Sequence, residues 1–351
     1  MPNVQAERLT EIANTLLIAA GAPEAEAATV ARLSIAANLA GHDSHGIIMI
    51  PSYVERVKAG HIVPGAPWEI VQETPTTTVI DGHWGFGYVV TEKATRHTIA
   101  KARTQNVAAA TVRRQGHIGR LASYPLMAAA EGMIAMITAD SGRSPKQVAP
   151  FGGAKARLGT NPMCFAIPSD LDGPFFLDMA TSAVAAGKVL LAVARGKELP
   201  GHWIIDSDGR PTTDPRKLRQ GGALLPLGGS EGYKGYGLAA VVEIFSGLLT
   251  GLGFGIDPTG RHNDGCFLAV FNVSAFRDLA AFKQDVAEFA RYLKETPPAE
   301  GFSRVYYPGE IEWETKQQRR KAGIPIEDAT WTTVTKLAQE LGCAAKLGLS
   351  A

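Results

Sequence analysis

The densest group of chemistry-bearing residues is His42-Asp43-Ser44-His45-Gly46, a short polar loop between a helix-patterned stretch and an apolar one. Catalytic side chains gather on loops held by a rigid scaffold, and an imidazole exchanges a proton near neutral pH without a large pKa shift. Ser44 is suited to hydrogen-bond a substrate oxygen. The competing structural reading makes Asp43 or Ser44 the N-cap of the next helix. Adjacent Asp, Ser and His do not form a hydrolase triad, which assembles from distant positions. The second candidate is Gly116-His117-Ile118-Gly119, between the strand-like VAAATV and a helix. Its glycines permit close backbone approach to a ligand; the plain alternative is a strand-to-helix turn with a solvated His. A third group comprises Phe151-Gly152-Gly153, Gly159-Thr160-Asn161-Pro162 and Asp178-Met179-Ala180-Thr181-Ser182. Glycine-rich loops offer N–H groups to phosphates. Asp178 closes the apolar run PFFLD, where an acid either orients a nearby His or caps a helix over Met179 to Leu191. Lys188 and Lys234 are surface lysines by default, although Lys234 beside Gly235 and Gly237 is within reach of a phosphate or ribose.

Several standard signatures are missing: GxxxxGK[ST], HExxH, an EF-hand loop and GxSxG. Gly235-Tyr236-Gly237-Leu238-Ala239-Ala240 matches the dinucleotide fingerprint G-x-G-x-x-A, with Asp257 downstream. That fingerprint opens directly after a buried strand. Here it follows Gly228-Gly229-Ser230-Glu231-Gly232, and Asp257 sits in the turn-like GFGIDPTG, so a Rossmann turn is not expected.

Apolar residues at helical spacing predict helices over residues 6–20 and from Pro23 to Leu39, ended by Gly21 and Gly41, and another through IIMIPSYVERVKAG. WEIVQETPTTTVIDG reads as two strands joined at Thr74-Pro75. Helices follow over Val90–Gln105, Gly119–Glu131, Tyr236–Leu249, Leu279–Lys294, Glu312–Ala322 and Thr330–Leu341. Strands are expected over Val107–Val112, Met133–Thr138, MCFAIP, PFFLDMA and Phe267–Phe271, with a hairpin at WIID and Asp208-Gly209. This order predicts an α/β (mixed α+β) fold. A non-Rossmann central unit with a mixed or antiparallel sheet (68–310) packs on helices from the N-terminal part (1–67) and the C-terminal tail (311–351).

The chain has 351 residues, and 35 Lys+Arg against 34 Asp+Glu give a formal charge of +1. A nucleic-acid binder shows a basic excess or stripe, and neither is present. Cys164, Cys266 and Cys343 lie far apart, which suits neither a disulfide framework nor a thiolate metal site and points to a reducing cytoplasm. The N-terminal stretch mixes acids and bases unlike a secretory signal, and no apolar run reaches bilayer length.

Taken in order, GHDSHG with PSY (41–53), GHIG (116–119), VAPFGG (148–153), LGTNP (158–162), LDMATS (177–182), GKV (187–189), IDSDGRPTTDP (205–215), YKGYGLA (233–239), PGE (308–310) and GIP (323–325) span nearly the whole chain. Together they resemble the type-2 malate/L-lactate dehydrogenase family, and the region around GHDSHG is similar to its hydroxycarboxylate dehydrogenase B branch. The resemblance implies an NAD- or NADP-dependent oxidoreductase of 2-oxo and 2-hydroxy acids, a homodimer without a Rossmann fold. It implies His45 as proton donor and acceptor paired with Asp178, which would raise its pKa, with Ser44 and His117 lining the substrate site. It further implies Thr160, Asn161, Asp178, Met179, Lys234, Gly235, Pro308, Gly309 and Glu310 near the cofactor. Many members have Arg where this chain has Met49; another cation must then hold the substrate carboxylate, and Arg120 and Arg143 are the candidates. Reduction of a cyclic imine, cofactor binding without turnover, and metal-dependent hydrolysis using His42, His45 and His117 are the rival readings.

Overall fold

A computed structural model describes residues 1–140, 145–201, 203–256, 261 and 264–349. Arg143 and Asp257 lie outside the described residues. After a short strand β1 (Asn3–Val4), helix α1 (Ala6–Ala19) buries Leu9, Ile12, Ala13, Leu16 and Leu17, one stripe at helical spacing. Burial of each large side chain stabilises by about 1.5–3 kcal/mol. Helix α2 (Glu24–Leu39) packs on α1, and the loop at 42–46 leads into α3 (Ile50–Lys58) with Pro51 in its first turn, as Pro tolerates.

The centre of the fold is a seven-stranded mixed sheet. Its strands are β2 (Glu69–Glu73), β3 (Thr77–Gly85), β4 (Val107–Gln115), β5 (Met133–Asp140), β6 (Met163–Ile167), β7 (Phe175–Met179) and β11 (Gly265–Asn272). Their spatial order is β2-β3-β4-β11-β5-β6-β7. β3 and β4 run parallel, joined by the crossover helix α4 (Gly87–Gln105), and every other pairing is antiparallel. Thr74 builds the turn between β2 and β3 by accepting the Thr77 N–H at 2.9 Å. The stretch at 119–131 is not one helix. It is a single 3₁₀ turn, Leu121–Ser123, followed by α5 (Pro125–Ala129), because Gly119 takes a positive φ and Arg120 is extended.

Helix α6 (Ala186–Arg195) and strands β8 (Ile204–Ile205), β9 (Pro211–Thr212) and β10 (Ala223–Leu224) build a small layer with its own core around Val148, Val184, Val189, Ile204 and Leu224. Helix α7 (Tyr233–Glu243) continues as a π-helical turn, Ile244–Leu248, and α8 (Leu279–Lys294) follows β11. At the C-terminal end come α9 (Glu310–Ala322), β12 (Ile324–Pro325) and α10 (Asp328–Glu340). β12 pairs antiparallel with β1, and α10 packs on α3, so one core runs from Val4 to Leu349. Gly235 opens α7 after a 3₁₀ turn, not after a strand. A Cβ there would lie 2.2 Å from the Leu227 carbonyl, so this glycine serves packing and the Rossmann pattern is coincidental. Among the described residues, no helix is long and apolar enough to cross a membrane.

Candidate active site

His45 ends a 3₁₀ turn, Asp43–His45, that is clamped from two sides. Asp43 does not cap the following helix. Its carboxylate accepts from Asn38 Nδ2 at 2.6 Å and from Arg319 of α9 at 2.7 and 3.0 Å. Asn38 Oδ1 in turn accepts the Ile47 N–H at 2.8 Å. A Cβ at Gly46 would lie 2.0 Å from that same oxygen. Gly46→Ala is therefore expected to cost about 1–3 kcal/mol through overpacking. Urea denaturation checks this, and an unchanged midpoint would contradict it.

The two imidazoles come together. His45 and His117 stack with ring centroids 5.7 Å apart and an interplanar angle of 20°. Ser44 Oγ lies 3.0 Å from His45 Nδ1, and Tyr53 Oη lies 2.7 Å from His117 Nδ1. With Nδ1 engaged by Ser44, Nε2 is the His45 ring nitrogen left for a ligand. Tyr88 donates to the His45 carbonyl at 3.3 Å and sits against Gly119, where φ is +71° and a Cβ would meet its hydroxyl at 2.2 Å. Burial holds Tyr53 well above its ordinary pKa and raises that of Tyr88, so both stay protonated as donors.

Arg120 follows the GHIG turn and is 8% exposed. Its guanidinium lies over the Phe176 ring at 5.1 Å, and Nε is 3.8 Å from Asp178 Oδ2, too far for a hydrogen bond. Nε and Nη2 have no hydrogen-bond partner. These two atoms form the side-on edge of the guanidinium, which binds a carboxylate in a two-pronged fork. A buried donor left unpaired costs about 1–3 kcal/mol, which an incoming anion relieves. Asp178 lies in β7 rather than at a helix start, and its carboxylate accepts the Ala122 N–H at 2.8 Å. Burial raises its pKa, while Arg120 and the Ala122 N–H pull it back.

The expected pairing of Asp178 with His45 is corrected here. Among the described residues, the carboxylate meets Arg120 and Ala122, not the His45 ring. Nor is the His45 pKa raised: burial first, then His42 and Arg120, lower it to about 4, while Asp264 opposes them. His45 is thus a neutral base at neutral pH. We expect kcat/KM for hydroxy-acid oxidation, which reports the free enzyme, to stay level from pH 8 to about pH 5. An inflection near pH 6.5 would show an unperturbed imidazole instead.

Met49 packs partly buried against the main core. His42 faces Glu312 of α9 at 3.6 Å. Asn161 is buried in the left-handed region (φ +40°), and its Nδ2 donates to Ala239 O and Glu243 Oε2, both at 2.9 Å. Its Oδ1 has no partner, an orphan acceptor that fits an N–H-bearing ligand such as the nicotinamide carboxamide. Thr160 gives its carbonyl to Thr181, whose N–H donates at 2.9 Å. Met179 ends β7, and Lys234 is exposed on α7, 3.6 Å from Glu231. The Pro308-Gly309-Glu310 turn lies on β7, with the Pro308 carbonyl accepting the Phe176 N–H at 3.1 Å. Gly309 (φ +95°) has no room for a Cβ, which would meet Phe176 at 2.6 Å, and Glu310 pairs with Lys294.

Sequence reasoning missed a buried cluster behind Asn161, in which Lys146 lies 3.4 Å from both Asp140 and Glu243. Burial pushes the Asp140 pKa up to about 7. It missed Tyr53 and Tyr88 as ring-holding groups, and Asp264. A cavity of about 430 Å³ lies between α8 and α9, lined by Arg291, Lys294, Tyr307, Glu310 and Trp313. Lys294 and Glu310 in its wall pair with each other, and none of the imidazoles or Arg120 lines it.

A neutral imidazole, stacked on a second one, thus lies in the field of a buried guanidinium whose Nε and Nη2 have no hydrogen-bond partner. The family model described as malate/L-lactate dehydrogenase matches residues 4–335. The structure superposes on malate dehydrogenase from Entamoeba histolytica with a TM-score of 0.93 and 35% identity, covering 97% of this chain and 98% of that one. It superposes on delta1-piperideine-2-carboxylate reductase from Pseudomonas syringae with a TM-score of 0.83 and 28% identity, covering 96% and 100%. Hydroxycarboxylate dehydrogenase B of Escherichia coli K12 is 36% identical over 329 residues, 92% of this chain and 90% of the relative. The chain belongs to the malate/L-lactate dehydrogenase family. It is an NAD- or NADP-dependent oxidoreductase of the hydroxycarboxylate dehydrogenase class.

Proposed function

We propose that the protein interconverts a 2-oxo acid and its 2-hydroxy acid, with His45 exchanging the proton and Arg120 holding the carboxylate. The observation behind this reading is the unpartnered Nε/Nη2 edge of Arg120, buried next to the stacked imidazoles. Bound nicotinamide supplies or accepts the hydride at the carbon bearing the oxygen. During reduction, His45 in its imidazolium form gives the Nε2 proton to the carbonyl oxygen as negative charge grows there, and is left as neutral imidazole. During oxidation, His45, which its low pKa keeps neutral, removes the hydroxyl proton. Carboxylate binding offsets the positive charge of Arg120, raising the proton affinity of His45 when substrate is present. Asp178 keeps Arg120 in place. Thr160, Asn161, Met179, Lys234 and the 308–310 turn are the residues we assign to the cofactor.

Met49, at the position where many family members have Arg, favours a large uncharged side chain over a second carboxylate. Following NADH and NADPH absorbance with phenylpyruvate, pyruvate, oxaloacetate and a cyclic imine tests this. Fastest turnover of phenylpyruvate supports it, and fastest turnover of oxaloacetate overturns the side-chain assignment. The likeness to the piperideine carboxylate reductase favours one alternative, C=N reduction. Preference for the imine would establish it.

We further propose a homodimer in the cytoplasm. Leu238, Val241, Ile244, Leu248 and Leu249 form an exposed apolar stripe along α7 and its π-helical turn, the kind of patch that marks a protein contact. All three cysteines are free and buried, as suits a reducing compartment. Sedimentation as a monomer, or recovery from a secreted fraction, would overturn the respective assignment.

A further inference from the structure

We propose that Glu243 is a positioning residue that makes the site select the amide of the nicotinamide ring: it turns the nitrogen of the Asn161 side chain inward and leaves the oxygen as an acceptor for an N–H of the cofactor. The inference rests on the assignment of Asn161 to the cofactor made above. It goes beyond that assignment in naming the residue that orients the amide and the discrimination that follows.

Asn161 lies in the loop before β6, whose Met163 and Cys164 pair with Met179 and Asp178 of β7. It therefore stands at the sheet end that carries Asp178, beside Arg120. Its backbone is held at φ +40°, in the left-handed region that asparagine tolerates better than most residues. Thr181 Oγ1 pins its carbonyl at 3.0 Å. A fully buried residue fixed in a sparsely populated conformation points to function.

The side-chain amide is tied at one end only. Nδ2 donates to the Ala239 carbonyl and to Glu243 Oε2, both at 2.9 Å. Ala239 and Glu243 are one turn apart on α7, so a single helix supplies both acceptors. A carbonyl and a carboxylate accept and do not donate, which decides which end of the amide is the nitrogen. Turned over, Oδ1 would face two acceptors and the N–H groups would be orphaned. Glu243 is 7% exposed, and its other oxygen lies 3.4 Å from Lys146 Nζ, which anchors the carboxylate on its far side. Oδ1 of Asn161 has no partner among the described residues. An acceptor buried without a donor is costly, and a ligand N–H relieves that cost. The nicotinamide carboxamide carries such a group.

The test is calorimetric binding, with no turnover, of NADH and of its reduced 3-acetylpyridine analogue, in which a methyl replaces the amide NH2. The phosphorylated pair is used if NADPH binds tighter than NADH. Wild type should bind the amide form about tenfold tighter. In Glu243→Gln the acceptor becomes a side chain that also donates, so the Asn161 amide finds a partner in either orientation. The preference should then fall to about threefold or less. A purely structural loss would weaken both forms together and leave their ratio alone. Equal affinities in wild type, or the full preference kept in Glu243→Gln, would overturn the proposal.

Asn161→Gly, which suits the positive φ, separates this inference from the assignment beneath it. Unchanged NADH affinity in that variant removes Asn161 from the cofactor site, and the proposal with it. Weakened affinity there, combined with full preference in Glu243→Gln, removes only Glu243. Should Glu243→Gln not fold, neutron diffraction from wild-type crystals in heavy water reads the orientation directly. Both deuterons should lie on the Asn161 atom that faces Glu243 and the Ala239 carbonyl, and deuterons on the other atom would end the proposal.

Discussion

His45→Gln should fold, bind NADH and lose most turnover: about 10²–10⁴-fold in kcat, the usual contribution of a positioned proton donor or acceptor. Glutamine is close in size and still hydrogen-bonds Ser44, so the clamp of Asp43 to Asn38 and Arg319 is untouched. The site offers few substitutes. His117 is tied to Tyr53 through Nδ1, and Tyr53 is held protonated far above neutral pH. Steady-state absorbance assays and fluorescence titration of NADH check the two halves of the prediction. A kcat within a few-fold of wild type would remove His45 from the proton-exchange role.

Arg120→Gln should cost about as much, through a different step. Removing one partner of a buried, hydrogen-bonded charge pair costs about 2–5 kcal/mol. That predicts a loss in kcat/KM for a 2-oxo acid of about 30-fold to several thousand-fold. Both KM and kcat should suffer, because a carboxylate held by one edge also aims the carbonyl at His45. Stability should fall as well, because Asp178 stays buried and loses the cation that offsets its burial. Arg120→Lys should rescue only in part, since an ammonium supplies charge without the planar fork. Unchanged kcat/KM in Arg120→Gln would mean the carboxylate is held elsewhere.

Much of the scaffold was legible because its signals are local. The stripe Leu9, Ile12, Leu16 and Leu17 defines α1, and Asp208-Gly209 marks the β8–β9 hairpin. The Gly235 pattern was rightly set aside because no strand precedes it. Boundaries failed where tertiary demands override pattern. Gly119–Glu131 looks helical, yet Gly119 adopts positive φ so that Tyr88 fits, and the chain resumes a helix only at Pro125. The helix expected over Tyr236–Leu249 changes to a π-helical turn at Ile244, where Gly265 comes so close that a Cβ would meet Ser246 O at 1.9 Å.

The site was legible as a set of residues and not as a wiring diagram. His45, His117 and Arg120 could be picked from short motifs. That Asp178 serves Arg120 while Asp264 serves the GHIG turn depends on how β4, β7 and β11 lie in one sheet, and 146 residues separate Asp264 from Ile118. The Lys146 cluster was invisible for the same reason: its members come from β5, the segment after it, and α7.

The claim at the centre is that Arg120 grips the substrate carboxylate while His45 exchanges the proton. Its most direct test compares a 2-oxo acid with the matching 2-oxo carboxamide in wild type and Arg120→Gln. Wild type should prefer the acid by at least 100-fold in kcat/KM, roughly the yield of a charge-assisted fork, and the variant should nearly lose that preference. If Arg120→Gln keeps the full preference for the acid, the carboxylate does not sit on Arg120 and the account is wrong.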